Sequence, residues 1–115
     1  MVFVFGSNLA GRHGKGSALE AAKKHGAVKG QAVGLQGDSY AIPTKDSFLK
    51  PLPIWRIRLY VDALILFAKR NPGMSFGITR IGCGLAGYDW ETQVRPLFPE
   101  VLPPNCKFID TSDKR

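Results

Sequence analysis

The chain has 115 residues, of which 44% are hydrophobic, 22% charged and 10% aromatic. That is the length and make-up of one globular domain, and it excludes a disordered, collagenous or coiled-coil protein. Sixteen Lys and Arg against nine Asp and Glu leave a net charge of +7, so the partners to expect are anions: phosphorylated metabolites, nucleic acid or acidic proteins.

Cys83 and Cys106 are too few for a disulfide framework or a four-ligand zinc site. No basic leader precedes Val2-Phe3-Val4-Phe5, and no apolar run approaches the roughly 20 residues needed to cross a bilayer. The expectation is a cytoplasmic protein with reduced thiols, no membrane contact, no cofactor and no metal.

Val2 to Phe5 reads as a buried strand ended by Gly6, and residues 6–16 as a glycine-rich loop. Ser17 to His25 reads as a helix stopped by Gly26, because Ala18, Leu19 and Ala22 share one side. Residues 30–38 read as loop or irregular strand, and Ser39 to Ile42 as a strand cut by Pro43. Thr44 to Pro53 is a second loop.

Ile54, Ile57, Val61, Leu64, Ile65 and Ala68 recur at helical spacing and predict a long, largely buried helix over 54–70, stopped by Asn71-Pro72-Gly73. Trp55 and Leu59 widen its apolar face, which makes contact with another copy an expectation. Phe76 to Ile81 reads as a strand, residues 82–88 as a third glycine loop, and Asp89 as the cap of a short helix reaching Phe98. Lys107 to Ile109 reads as a last strand, followed by a polar tail over 111–115. Strands alternating with helices predict an α/β domain, a sheet covered on both faces. Trp55 and Trp90 read as core, His13 and His25 as surface.

In such folds ligands bind where the strands end. Glycine lets backbone N–H groups approach a phosphate, and two glycine loops suit a ligand with more than one anionic or polar part. The Walker pattern fails, because Arg12-His13 follows Gly11 where Lys-Ser/Thr is required. Gly82-x-Gly84-x-x-Gly87 does match the dinucleotide fingerprint, with Asp110 downstream. Cys83, flanked by glycines, reads as a small packing residue rather than a reactive thiol.

The run Ile81-Gly82-Cys83-Gly84-Leu85, followed by Trp90-Glu91, resembles the phosphate-binding loop of macrodomains. The branch it is most similar to contains the terminal ADP-ribose protein glycohydrolase. Gly6-Ser7-Asn8 with Gly11, Gly14 and Gly16 is similar to the ribose-side loop of that superfamily, and Tyr40-Ala41-Ile42-Pro43-Thr44-Lys45 to its strand leading into a lysine-bearing loop. The match runs in order along nearly the whole chain, and extends to short macro-like proteins of bacteria and phages.

The resemblance implies a three-layer α/β/α macro-like domain over 1–110, with a central mixed sheet, that binds ADP-ribose. The diphosphate would lie between the first and third loops. Gly6, Ser7, Asn8, Gly11, Gly14 and Gly16 would contribute from one side. Gly82, Cys83, Gly84, Leu85, Ala86, Gly87 and Tyr88 would contribute from the other. Asn8 would contact the distal ribose and Tyr88 a ribose or base.

The same branch uses a lysine that attacks the ribose and an acid after the Gly-Cys-Gly-Leu run. Lys45 matches the lysine; Ala86 stands at the acid's position and Asp89 three residues on. The adenine-reading aspartate that precedes the first loop in macrodomains has no counterpart. Partners are accordingly ADP-ribose or an ADP-ribosylated macromolecule, with removal of ADP-ribose as the implied activity. The rival reading is a nucleic-acid-binding module without enzymatic activity, using a basic surface that includes Arg12, Lys15, Arg56 and Arg58.

Overall fold

A computed structural model describes residues 1–110; the expected tail over 111–115 lies outside the described residues. Five strands form one sheet in the order β2-β3-β1-β4-β5. They are β1 (Val2–Asn8), β2 (Gly34–Gln36), β3 (Ser39–Lys45), β4 (Phe76–Ile78) and β5 (Cys106–Phe108). β1 is central, parallel to β3 and β4, and β5 runs parallel to β4, while β2 is antiparallel to β3. The sheet is therefore mixed, as the family resemblance implies.

Side chains alternate across a strand, and β1 divides its residues between two cores. Val2 and Val4 pack with Ile57, Val61, Leu64 and Ile65 of α2 (Ile54–Arg70). Phe3 and Phe5 pack with Ala18 and Ala21 of α1 (Gly16–Lys24) on the opposite face. The second core is small because two alanines supply the helix side, and His13 completes it edge-on to Phe5 at 5.5 Å. His13 is 7% exposed and His25 stacks on Phe3 at 4.2 Å, so neither histidine is the free surface residue expected. Trp90 does join the interior, against Phe98 and Phe108, but Trp55 is 65% exposed.

α2 spans the residues its periodicity predicts. α1 and β5 each start one residue earlier than expected, and three boundaries differ by more. Pro43 does not end β3: β2 stops opposite Ala41, so beyond it β3 is an outer strand and the missing N–H costs no ladder bond. β1 continues through Gly6, Ser7 and Asn8 because they pair with Ile42, Pro43 and Lys45. β4 ends at Ile78, since Thr79 sends both its N–H and its hydroxyl to the Val4 carbonyl and Ile81 N–H turns back onto Thr79.

The expected helix after Asp89 is a π-helical turn, Trp90–Val94, followed by a 3₁₀ turn, Arg95–Leu97. The glycines of the third loop thus open onto five residues of helix rather than the full helix of a dinucleotide-binding unit.

Candidate functional site at the strand ends

Three loops leave the C-terminal ends of β1, β3 and β4, and they meet. A Cβ on Gly6 would stand 3.4 Å from both the Gly82 nitrogen and the Thr44 hydroxyl. A Cβ at Gly6 would thus stand at contact distance from both neighbours, which places the first loop, the second and the third side by side.

The first loop is built by Asn8. Its side-chain amide donates to the Arg12 carbonyl at 2.9 Å and its side-chain oxygen accepts from Arg12 N–H at 3.0 Å. Leu9 N–H donates to the Lys45 carbonyl at 2.9 Å, which ties the loop to the next one. Gly11 sits at φ +72, and a Cβ there would lie 2.7 Å from the Gly30 backbone, so no other residue fits. Ser7 is 2% exposed and its hydroxyl donates to the Ala32 carbonyl at 2.5 Å. The polar groups of Ser7 and Asn8 therefore shape the loop from within.

Gly14, Lys15 and Gly16 are exposed at its rim. α1 begins there with no side-chain cap on its first turn, leaving N–H groups open to an anion.

The second loop starts from Thr44, which is buried and donates to the Ser7 carbonyl at 3.3 Å. Lys45 follows, half-buried and bridged to Pro51. The Asp46 carboxylate then accepts from Phe48 and Lys50 N–H at 2.8 and 3.0 Å, closing a tight turn in which Leu49 has φ +66.

The third loop is held by Tyr88. Its N–H donates to the Gly82 carbonyl at 2.8 Å, and its phenol donates to the Leu52 carbonyl. Leu52 N–H in turn donates to Thr44 at 2.8 Å. Tyr88 therefore couples the third loop to the lysine-bearing one. Cys83, Gly87 and Tyr88 spend their N–H groups inside the loop, whereas those of Gly84, Leu85 and Ala86 find no acceptor among the described residues.

Burial pushes the Cys83 thiol up. The Arg80 guanidinium pulls it down and the Asp89 carboxylate pushes it further up, so the sulfur is a protonated packing group, bonded to the Ile81 carbonyl.

Asp89 is exposed, and one carboxylate oxygen accepts from both the N–H and the hydroxyl of Thr92, at 2.9 and 2.7 Å. Those bonds hold its carboxyl below the usual range, as capping does.

Beyond the third loop, a cavity of about 300 Å³ opens between Arg80, Trp90, Glu91, Arg95 and residues 108–110. Arg80 lies over the Trp90 ring at 5.6 Å and Arg95 over Phe108 at 4.8 Å. Sequence reading missed this cavity. The one available signal was Arg80, a cation set immediately before the third loop. Among the described residues no group of three His, Cys, Asp or Glu could hold a metal ion.

The architecture is a macrodomain-like fold. Among solved structures, the chain is similar to the macrodomain of Mycobacterium tuberculosis DarG, with TM-score 0.65 and 22% identity over 95% of this chain and 86% of that one. It is similar too to a Bacteroides thetaiotaomicron protein of unknown function, with TM-score 0.61 and 24% identity over 96% and 88% of the two chains. A further Bacteroides thetaiotaomicron protein gives TM-score 0.59 and 24% identity over 96% and 90%. No protein-family model matches the chain, and no curated protein does.

Proposed function

We propose that the domain binds ADP-ribose along the C-terminal edge of its sheet and releases it from a modified macromolecule. The observation that carries this is the convergence of Gly6, Thr44 and Gly82 beside Lys45. It leaves a narrow seam with unspent N–H groups on the third loop and at the start of α1. A diphosphate fits such a seam, since its charge falls where backbone donors and a helix N-terminus point.

Sheet order supports one direction for the ligand. Lys45 ends β3, the seam lies over β1 and β4, and the Arg80–Trp90 cavity adjoins β5. With strands about 4.8 Å apart, β3 to β5 spans about 14 Å. A distal ribose, diphosphate and base can lie across them in that order, with the distal ribose at Lys45 and the base against Trp90. Likeness in fold to a macrodomain supports the same reading.

For release, the Lys45 amine attacks the anomeric carbon of the distal ribose. The bond to the macromolecule breaks, the leaving group takes up a proton, and water then frees the sugar from the lysine. Asp89 is the acid the resemblance offers as its proton partner.

The test is calorimetric titration of ADP-ribose, AMP and NAD. Preferential binding of ADP-ribose is the expected result. Failure of all three to bind overturns the proposal and leaves the basic surface to nucleic acid.

A further inference from the structure

A surface remote in role from the nucleotide seam lies on α2. Its inner face, Ile57, Val61, Leu64, Ile65 and Ala68, is buried against the sheet. Its outer face should then be polar throughout, yet an apolar stripe runs along it. Trp55 is 65% exposed, Leu59 58% and Leu66 48%, with Ala63 exposed between the last two. These four residues are spaced by four, four and three. At 3.6 residues per turn they fall within about 80° of arc, so they form one continuous stripe. A contiguous apolar strip of this kind marks a contact surface.

Charge selects what lies on it. Arg58, Asp62 and Lys69 flank one side of the stripe, Arg56 flanks the other, and Arg70 stands at its C-terminal end. Among the described residues the ion pair present is His25–Glu20, and none of these four cations has a carboxylate partner among them. A second copy would set four more cations against them. A straight, narrow ridge suits another helix packed at 8–10 Å.

We infer that the outer face of α2 docks an acidic amphipathic helix of another protein, with apolar residues over Trp55, Leu59 and Leu66 and carboxylates over the flanking cations. This proposal does not depend on ADP-ribose binding.

The probe is a fluorescein-labelled helical peptide of about 18 residues, with leucines at i, i+3, i+4 and i+7 and glutamates on both flanks. A second peptide carries lysines in place of the glutamates. Anisotropy should show the glutamate peptide binding at least about tenfold more tightly than the lysine peptide, with affinity falling as salt rises. Leu59→Asp should weaken binding at least about tenfold, while far-UV circular dichroism and ADP-ribose titration stay unchanged, because Leu59 is exposed and outside the seam.

Equal binding of the two peptides, no binding of either, or binding indifferent to Leu59→Asp overturns the proposal. Light scattering that shows a dimer dissolved by Leu59→Asp overturns it in favour of a second copy. Binding to phosphatidylglycerol vesicles that Leu59→Asp abolishes, with no peptide binding, overturns it in favour of a lipid surface.

Discussion

Lys45 carries two separable loads. Its carbonyl receives Leu9 N–H and so ties two loops together, while its amine is the proposed nucleophile. Lys45→Ala keeps the first and removes the second. Turnover of an ADP-ribosylated substrate should fall by orders of magnitude, with ADP-ribose affinity by calorimetry close to that of the parent.

Asp89 is the reverse case, a residue whose structural load is visible. Its carboxyl lies below its ordinary 3.8 because Thr92 bonds to it. A carboxyl lowered by folding adds stability above its unfolded value and loses it as pH falls through the folded one. Asp89→Ala should lower the urea midpoint at neutral pH, and the gap should close in acid below 3.8. If turnover survives Asp89→Asn, capping is its whole role; if turnover collapses while the fold holds, Asp89 is the proton partner.

Elements set by their own periodicity were legible in the sequence. α2 repeats its apolar residues over nearly five turns, and its bounds follow directly. What was not legible was set by side-chain hydrogen bonds that no periodicity marks. β2 is Gly34-Leu35-Gln36, which has no strand signature, and it exists because Gln36 holds it. The Gln36 side chain is 4% exposed, accepts from Val28 N–H, and donates to the Gln31 and Gly34 carbonyls. Gln31 in turn donates to the Val33 and Leu35 carbonyls. These side chains occupy backbone groups that an edge strand would otherwise offer to a stranger. Gln36→Ala leaves several part-buried backbone groups without their partner and should cost about 1 kcal/mol or more in urea unfolding.

Gly11 illustrates the same limit within the site. The sequence marks it as a loop glycine, but its necessity comes from Gly30, at 2.7 Å from where its Cβ would be. Gly11→Ala should cost about 2 kcal/mol or more, since a positive φ and a backbone overlap both oppose it. It should weaken ADP-ribose binding as well. The three loops could be read from residues; that Tyr88 binds the loops together through Leu52 could not, because its partner is far away in sequence.

At the scale of the molecule, ligand and fold are linked because the seam exists only when all three loops are in place. ADP-ribose at about 100 times its Kd should add about 2.7 kcal/mol, which raises Tm by about 10 °C for a domain of this size. The shift should persist in Lys45→Ala and vanish with AMP at the same concentration. The +7 charge should make the shift smaller at high ionic strength.

The place of β1 at the centre of the sheet has a consequence for how the chain is made. It leaves the ribosome before both of its neighbours, β3 and β4. The run Val2-Phe3-Val4-Phe5 must therefore wait, unpaired, until Ser39–Lys45 and then Phe76–Ile78 have been synthesised. It is short, aromatic, β-branched and uncharged, which is the make-up of an aggregation nucleus. Fast translation and high expression temperature crowd many such waiting segments together, so soluble yield should be governed by this strand rather than by the stability of the finished domain.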